Sequence, residues 1–143
     1  MENNKRLTNR RQEREEAFVL VFERMFKDDE SEEVFDSAVE ARDVSIGKFT
    51  KLLVNGVYDK LEPIDEVIEK NLKGWKKNRI SKVALTLLRI AVFEIVFVDD
   101  VPTNVAINEA VELCKKYATE QDASFLNGVL GGVARSQVKN GEE

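Results

Sequence analysis

The sequence predicts an all-α fold. Ile80 to Val98, ISKVALTLLRIAVFEIVFV, is its longest apolar run. Within it Val83, Ala84, Leu87, Leu88, Ala91 and Ile95 recur at three- and four-residue steps, the spacing of one helix face. Most of the remaining chain carries apolar stripes at the same spacing, and no segment offers a partner strand. With only two prolines and seven glycines in 143 residues, long uninterrupted helices are permitted. The expected architecture is a single compact domain, residues 1–143, of about seven helices, with 1–7 and 139–143 flexible.

The apolar run is its expected central post. The face opposite the stripe carries Leu85, Val92, Phe93 and Val96, and a helix that is apolar nearly all round is buried on all sides. Lys82, Arg89 and Glu94 argue against a membrane span, because each is costly in lipid. Phe93–Val98 is rich in strand-favouring residues, but a strand there has nothing to pair with. Arg89 and Glu94 need partners, since an unpaired buried charge is expensive. Five residues apart, they do not share a face and need not pair with each other.

Composition narrows the function. The chain has no histidine, which removes His-based acid–base chemistry, Ser–His and Cys–His nucleophile pairs, and His metal ligands. A single cysteine, Cys114, forms no internal disulfide and makes a zinc site a poor expectation. No paired-carboxylate or phosphate-loop motif stands out. The expectation is a binding protein without cofactor or metal, not an enzyme. The N-terminus is polar and charged with no apolar signal segment, so the expected address is cytoplasmic. Net charge is −5, yet a local basic patch can still hold phosphate.

Taken in order, residues 1–14 hold Arg6, Arg10, Arg11 and Arg14. Thr8 is the expected cap of a helix running to about Lys27, with Ala17, Phe18, Val21, Phe22 and Met25 as its stripe. Two readings of the arginines stand on composition alone: forks for a nucleic-acid backbone, or a solvated terminus. Arginine near a helix N-terminus opposes the dipole, a small cost that hints at use. Ser31 can cap a second helix, about Glu32 to Ala41. Ser45 opens a third, to about Lys60, burying Phe49, Leu52, Leu53, Gly56 and Val57. Pro63 suits the first turn of a fourth, lined by Ile64, Val67, Ile68 and Leu72.

The basic linker KGWKKNR, residues 73–79, has the aromatic-plus-basic make-up that can stack on single-stranded nucleic acid, but the better reading is Trp75 as a plug between helices with the lysines in solvent. Asp99–Pro102 breaks the chain. A helix from about Asn104 to Tyr117 then puts Ala106, Ala110, Leu113, Cys114 and Tyr117 on one face, with Glu112 and Lys116 paired outside. Cys114 reads as a small core residue and not a nucleophile. Asp122 or Ser124 is the expected cap of the last helix, where Gly128, Gly131 and Gly132 suggest close packing against a neighbour.

VPTNVAINEAVELCKKY followed by FLNGVLGGVA resembles the NusB family of bacterial transcription antitermination factors. Arg14 to Phe22 approximates the family's opening helix. LVNGVYDKLEPID matches its third-to-fourth helix junction, and Trp75 to Val83 with LLRIAVFE matches its central helix. The match runs nearly the whole chain in register. The resemblance implies two packed helical bundles and no catalysis. It implies binding of single-stranded boxA RNA jointly with the ribosomal small-subunit protein NusE, within the antitermination complex on RNA polymerase at ribosomal RNA operons. It carries RNA contact to Arg10, Arg11 and Arg14, less directly to Arg6, and to the aromatic positions Tyr117 and Phe125. Phe22 and Arg79 match positions near the ribosomal-protein interface. Resemblance thus favours the functional reading of the arginines.

Two features depart from the family. Ala84 stands where an acidic residue is common, near the partner surface. Gln12 and Glu13 interrupt the arginine run, which weakens RNA binding by the protein alone and shifts affinity onto the partner. Two other functions compete: a protein-only helical adaptor, and a relative of the N-terminal domain of ribosomal RNA cytosine methyltransferases. No methyl-donor motif follows the helical region to support the second.

Overall fold

The computed structural model describes residues 9–26, 46–74 and 76–137. Among them are six α-helices: α1 Arg10–Met25, α2 Lys48–Asp59, α3 Leu61–Lys70, α4 Lys82–Phe97, α5 Thr103–Tyr117 and α6 Glu120–Ser136. A 3-10 turn, Lys77–Arg79, precedes α4, and no strand occurs among the described residues. The second expected helix, Arg6, Thr8 and Trp75 lie outside them. The chain forms two compact units, Met1–Gly56 and Val57–Glu143. No helix among the described residues is long and apolar enough to cross a membrane.

In the first unit, α1 starts at Arg10 and Asn9 is its cap. The Asn9 side chain accepts from the Gln12 amide at 2.8 Å, satisfying one of the orphan donors of the first turn. Ala17, Phe18, Leu20 and Val21 are buried. The Phe18, Phe22 and Phe26 rings form a ladder, stacked at 5.5 Å and then edge-on at 5.0 Å.

The start of α2 is capped from a distance. Gly47 holds the cap position and has no side chain to give, while its carbonyl accepts from Lys51. The carboxylate of Glu13 takes over: one oxygen accepts from the amides of Phe49 at 2.9 Å and Thr50 at 3.2 Å. The Thr50 hydroxyl donates back to the Glu13 carbonyl at 3.0 Å. A Cβ on Gly47 would run into this carboxylate, so any side chain there has to displace the borrowed cap. Phe49 and Leu53 are buried as expected, but Leu52 is 44% exposed and Val54 takes an inward place. Gly56 and Val57 are buried as well, so the stripe keeps four of its five expected positions and shifts only slightly, towards Thr50 and Val54 and away from Leu52.

In the second unit, α4 is the central post. It packs against α3, α5 and α6, and α5 and α6 pack on each other. Ten of its residues are buried, including Thr86 and Glu94, which is why its apolarity runs nearly all round. Ser81 caps it, accepting from the Ala84 amide at 3.1 Å. Thr86 satisfies its buried hydroxyl on the Lys82 carbonyl at 2.7 Å. Glu94, 1% exposed, is engaged by its surroundings. Arg89 meets Asp65 of α3 with two parallel bonds of 2.9 Å. Asp65 also takes Lys77 at 3.2 Å, and Lys77 reaches Glu69 at 3.1 Å. Desolvation pulls the Lys77 pKa down, but the hydrogen bonds and charges of Glu69 and Asp65 outweigh it and raise it.

Thr119, not Asp122 or Ser124, caps α6, accepting from the Asp122 amide at 2.9 Å. All three residues are competent caps, and Thr119 wins because α6 begins a turn earlier, with Glu120 and Asp122 favourably placed in its acidic first turn. Glu112 pairs with Lys115, at 3.8 Å, and not with Lys116, which lies over the Tyr117 ring. Cys114 is fully buried, and burial with the nearby Asp122 charge pushes its thiol up to about 11. It stays protonated at neutral pH and serves packing.

Of the three glycines of α6, only Gly132 is closely packed. Its missing Cβ would sit 2.6 Å from the Asn71 side-chain oxygen. Gly128 faces open space, and Gly131 meets only its own helix's Arg135. Gly128→Ala is expected to stabilise by about 0.5–1 kcal/mol, the helix-propensity gain. Gly132→Ala should instead lose about 1 kcal/mol net, because it forces Asn71 off its 2.9 Å bond to the Val67 carbonyl. Urea denaturation of both variants checks the opposite signs.

Candidate functional site

Helix α1 and the start of α2 assemble the basic site of the first unit. Arg10 and Arg14 stand one turn apart and so share a face of α1. The Arg10 guanidinium lies 4.2 Å from the centre of the Phe49 ring, and that of Arg14 lies 5.2 Å from it. A cation over an aromatic face gains about 0.5–2 kcal/mol, and the ring fixes where the charge is held. Arg10 and Arg11 are exposed, whereas Arg14 is only 5% exposed. Of the three arginines, the outer two therefore present surface, and Arg14 lends its charge from underneath.

Glu13 does not act as a free negative charge within the run. Two α2 amides hold its carboxylate, where it meets the positive end of that helix. An acid that reads in sequence as an interruption of the basic patch is spent on folding.

The second unit carries the aromatic expectations. Tyr117, the last residue of α5, is 41% exposed, so it leaves the buried face on which its spacing had placed it. At the end of a helix, side chains have less of a neighbour to pack on. Phe125, on α6, is half-buried. It lines an open cleft of about 490 Å³ with Asn71, Lys73, Gln121, Ser124 and Arg135. Leu72 and Val129 form apolar wall, and Gly128 leaves a bare stretch of helix backbone. Sequence reasoning singled out Phe125 but missed Lys73 and Arg135, which lie in separate segments and converge only in the fold.

Phe22 is half-buried within the Phe18–Phe26 ladder, and Arg79 is exposed at the end of the 3-10 turn. Ala84, expected near a partner surface, is fully buried in α4. Its methyl reaches no surface, and any effect of this position on a partner is indirect. Among the described residues no group of His, Cys, Asp and Glu is placed to hold a metal ion.

Comparison with known proteins decides the family. The model of the NusB family matches residues 11–135, nearly the whole chain and all six helices. The chain belongs to the NusB family. The NusB-family transcription antitermination protein of Clostridium novyi (strain NT) is 42% identical over 132 residues, covering 90% of this chain and 99% of its own length. NusB of T. maritima superposes with a TM-score of 0.82 at 31% identity, over 94% of this chain and 96% of its own. A structure of the antitermination factors NusB and NusE in complex with dsRNA matches with a TM-score of 0.77 at 28% identity, over 89% of this chain and 96% of the matched chain. NusB-family membership makes this chain an antitermination factor and not an enzyme.

Proposed function

We propose that this chain binds a single-stranded boxA-type RNA together with a NusE-type ribosomal protein in the bacterial cytoplasm. In that role it joins the antitermination complex on RNA polymerase and promotes processive transcription of ribosomal RNA operons. The observation that carries the reading is the exposed pair Arg10 and Arg11 at the start of α1, with Arg10 steadied on Phe49, in a chain whose fold matches that of NusB in a complex with NusE and dsRNA.

In this reading Arg10 and Arg11 hold the RNA backbone, joined by Arg6, while Arg14 adds to the local potential. Tyr117 and Phe125 offer faces to unstacked bases. Phe22 and Arg79 contribute to the surface for the ribosomal protein. Cationic forks position the strand and aromatic faces select for unpaired bases, which is the division of labour single-strand recognition needs.

The test is fluorescence anisotropy of a labelled boxA-like RNA, titrated with and without the ribosomal partner. A scrambled strand, a duplex competitor and a salt series complete it. Selective binding to the single strand, tightened by the partner, is expected. Arg10→Glu with Arg11→Glu should weaken it at least tenfold, and losing two phosphate contacts should flatten the log–log salt slope by about 1.4. Unchanged binding in the double variant would point to a protein-only adaptor.

A further inference from the structure

We propose that Lys77 is a positioning residue for the ribosomal partner. Bound to Asp65 and Glu69 of α3, it fixes the 3-10 turn so that Arg79 meets the partner in one orientation. The proposal rests on the reading above that places Arg79 on the surface for the ribosomal protein.

The turn Lys77–Arg79 has little else to hold it. A 3-10 turn has poorer hydrogen-bond geometry than an α-helix. Its backbone bonds run from the Arg79 amide to the Lys76 carbonyl at 2.9 Å and from the Ile80 amide to the Lys77 carbonyl at 3.1 Å. No side chain caps its start, and none of its residues is buried. Such bonds keep the shape of the turn but not its place on the fold. Its place comes from the Lys77 ammonium, which reaches Asp65 at 3.2 Å and Glu69 at 3.1 Å. Among the described residues no other side chain of the turn is engaged in an ion pair or hydrogen bond.

This anchorage adds little to stability. Asp65 is already satisfied by Arg89 through two bonds of 2.9 Å. The Lys77 and Glu69 side chains are 35% and 54% exposed, so water can solvate both charges when their pair is broken. A lysine that grips two carboxylates on a neighbouring helix without being needed to neutralise them is placed to hold a position.

What it holds is Arg79. In 3-10 geometry successive side chains stand about a third of a turn apart. With Lys77 turned to α3, Arg79 projects to another side, and it is exposed. Beyond it Ser81 caps α4, accepting from the Ala84 amide at 3.1 Å. Arg79 therefore lies between two fixed points, the Lys77 anchor and the Ser81 cap. A guanidinium is a planar fork of directed donors, so its worth to a carboxylate or carbonyl of the partner depends on orientation. Fixing its base beforehand lowers the ordering cost of binding.

The test is a double-mutant cycle. The full chain, unsubstituted and as Lys77→Met, Arg79→Ala and both together, is titrated with the NusE-type ribosomal protein by calorimetry. Lys77→Met keeps the stem and removes the ammonium, and Asp65 keeps Arg89, so the melting temperature should move little. Arg79→Ala is expected to weaken partner binding roughly tenfold. Lys77→Met should weaken it roughly fivefold, and the double variant should bind no more weakly than Arg79→Ala alone. Lys77→Arg, whose guanidinium can still bridge the two carboxylates, should restore the affinity. A lost charge or a loosened fold would instead weaken binding equally with and without Arg79. If Lys77→Met leaves affinity unchanged, or costs the same factor in both backgrounds, the positioning role is overturned and the partner reading stands. If Arg79→Ala binds as tightly as the unsubstituted chain, Arg79 leaves the partner surface and the inference falls with it. If the unsubstituted chain does not bind the partner, the proposed function falls as well.

Discussion

Asp65→Ala is expected to cost about 3 kcal/mol of folding stability, the lower part of the range for breaking a buried ion pair. The Asp65 and Arg89 side chains are 17% and 15% exposed, so water can do little to replace the lost partner. Both carboxylate oxygens are used, one by Arg89 Nε and the other by Arg89 Nη2 and Lys77 Nζ. The alanine therefore strands a guanidinium against the central helix and loosens the 3-10 turn at Lys77. The deficit comes from the orphaned charge more than from the value of the pair itself. Replacing both partners together, as Asp65→Leu with Arg89→Met, should accordingly cost less than Asp65→Ala alone. Urea denaturation of the single and double variants tests this. A single-variant loss below about 1 kcal/mol would put the pair with exposed surface bridges and contradict the account.

Glu13→Ala is expected to lose about 2 kcal/mol. Two amides at the start of α2 lose their acceptor together, and Gly47 cannot supply a replacement. Glu13→Gln should fall in between, keeping an acceptor oxygen but losing the attraction of a full negative charge to the helix end, about 0.3–1 kcal/mol. Adding Gly47→Asp to Glu13→Ala should recover much of the loss by restoring a local cap, whereas Gly47→Asp alone should be harmful because it collides with the Glu13 carboxylate. Thermal melts of the four variants check the pattern. RNA affinity should change little, since the two α2 amides already hold the Glu13 charge. A fall in both stability and RNA affinity would mean that the cap also positions Arg10 through Phe49.

These two residues mark where the sequence could and could not be read. The central helix was legible because its apolarity runs all round, a pattern that does not depend on knowing its neighbours. The need of Arg89 for a partner was legible too, from the cost of a buried charge. Which residue met that need was not, because Asp65 lies 24 positions away and looks like any exposed acid of an amphipathic helix. Glu13 was harder still. Beside four arginines it reads as a flaw in a basic patch, and only the fold shows it serving a helix whose own cap position is a glycine. Local competition explains the smaller misses. Thr119 outcompeted Asp122 as a cap, by one turn. On the candidate site, the arginines and Phe125 stood out by residue type. Lys73 and Arg135 did not, since a lone cation in a charged chain carries no signal until a cleft brings two together.

The borrowed cap also bears on how the chain folds. Glu13 and Phe49 are 36 positions apart, so the first turn of α2 cannot be completed by local events. Closing a loop of that length carries an entropy cost of about 3 kcal/mol on the (3/2)RT ln n rule, to be met before the hydrogen bonds return anything. A helix with its own cap can begin to form alone, but this one must wait for α1. The arrival of the arginine-bearing helix and the ordering of the α2 start are then a single cooperative event. Arg10 finds its seat on Phe49 only in a chain in which that event has happened, and the ordered binding face becomes a report that this part of the molecule has folded.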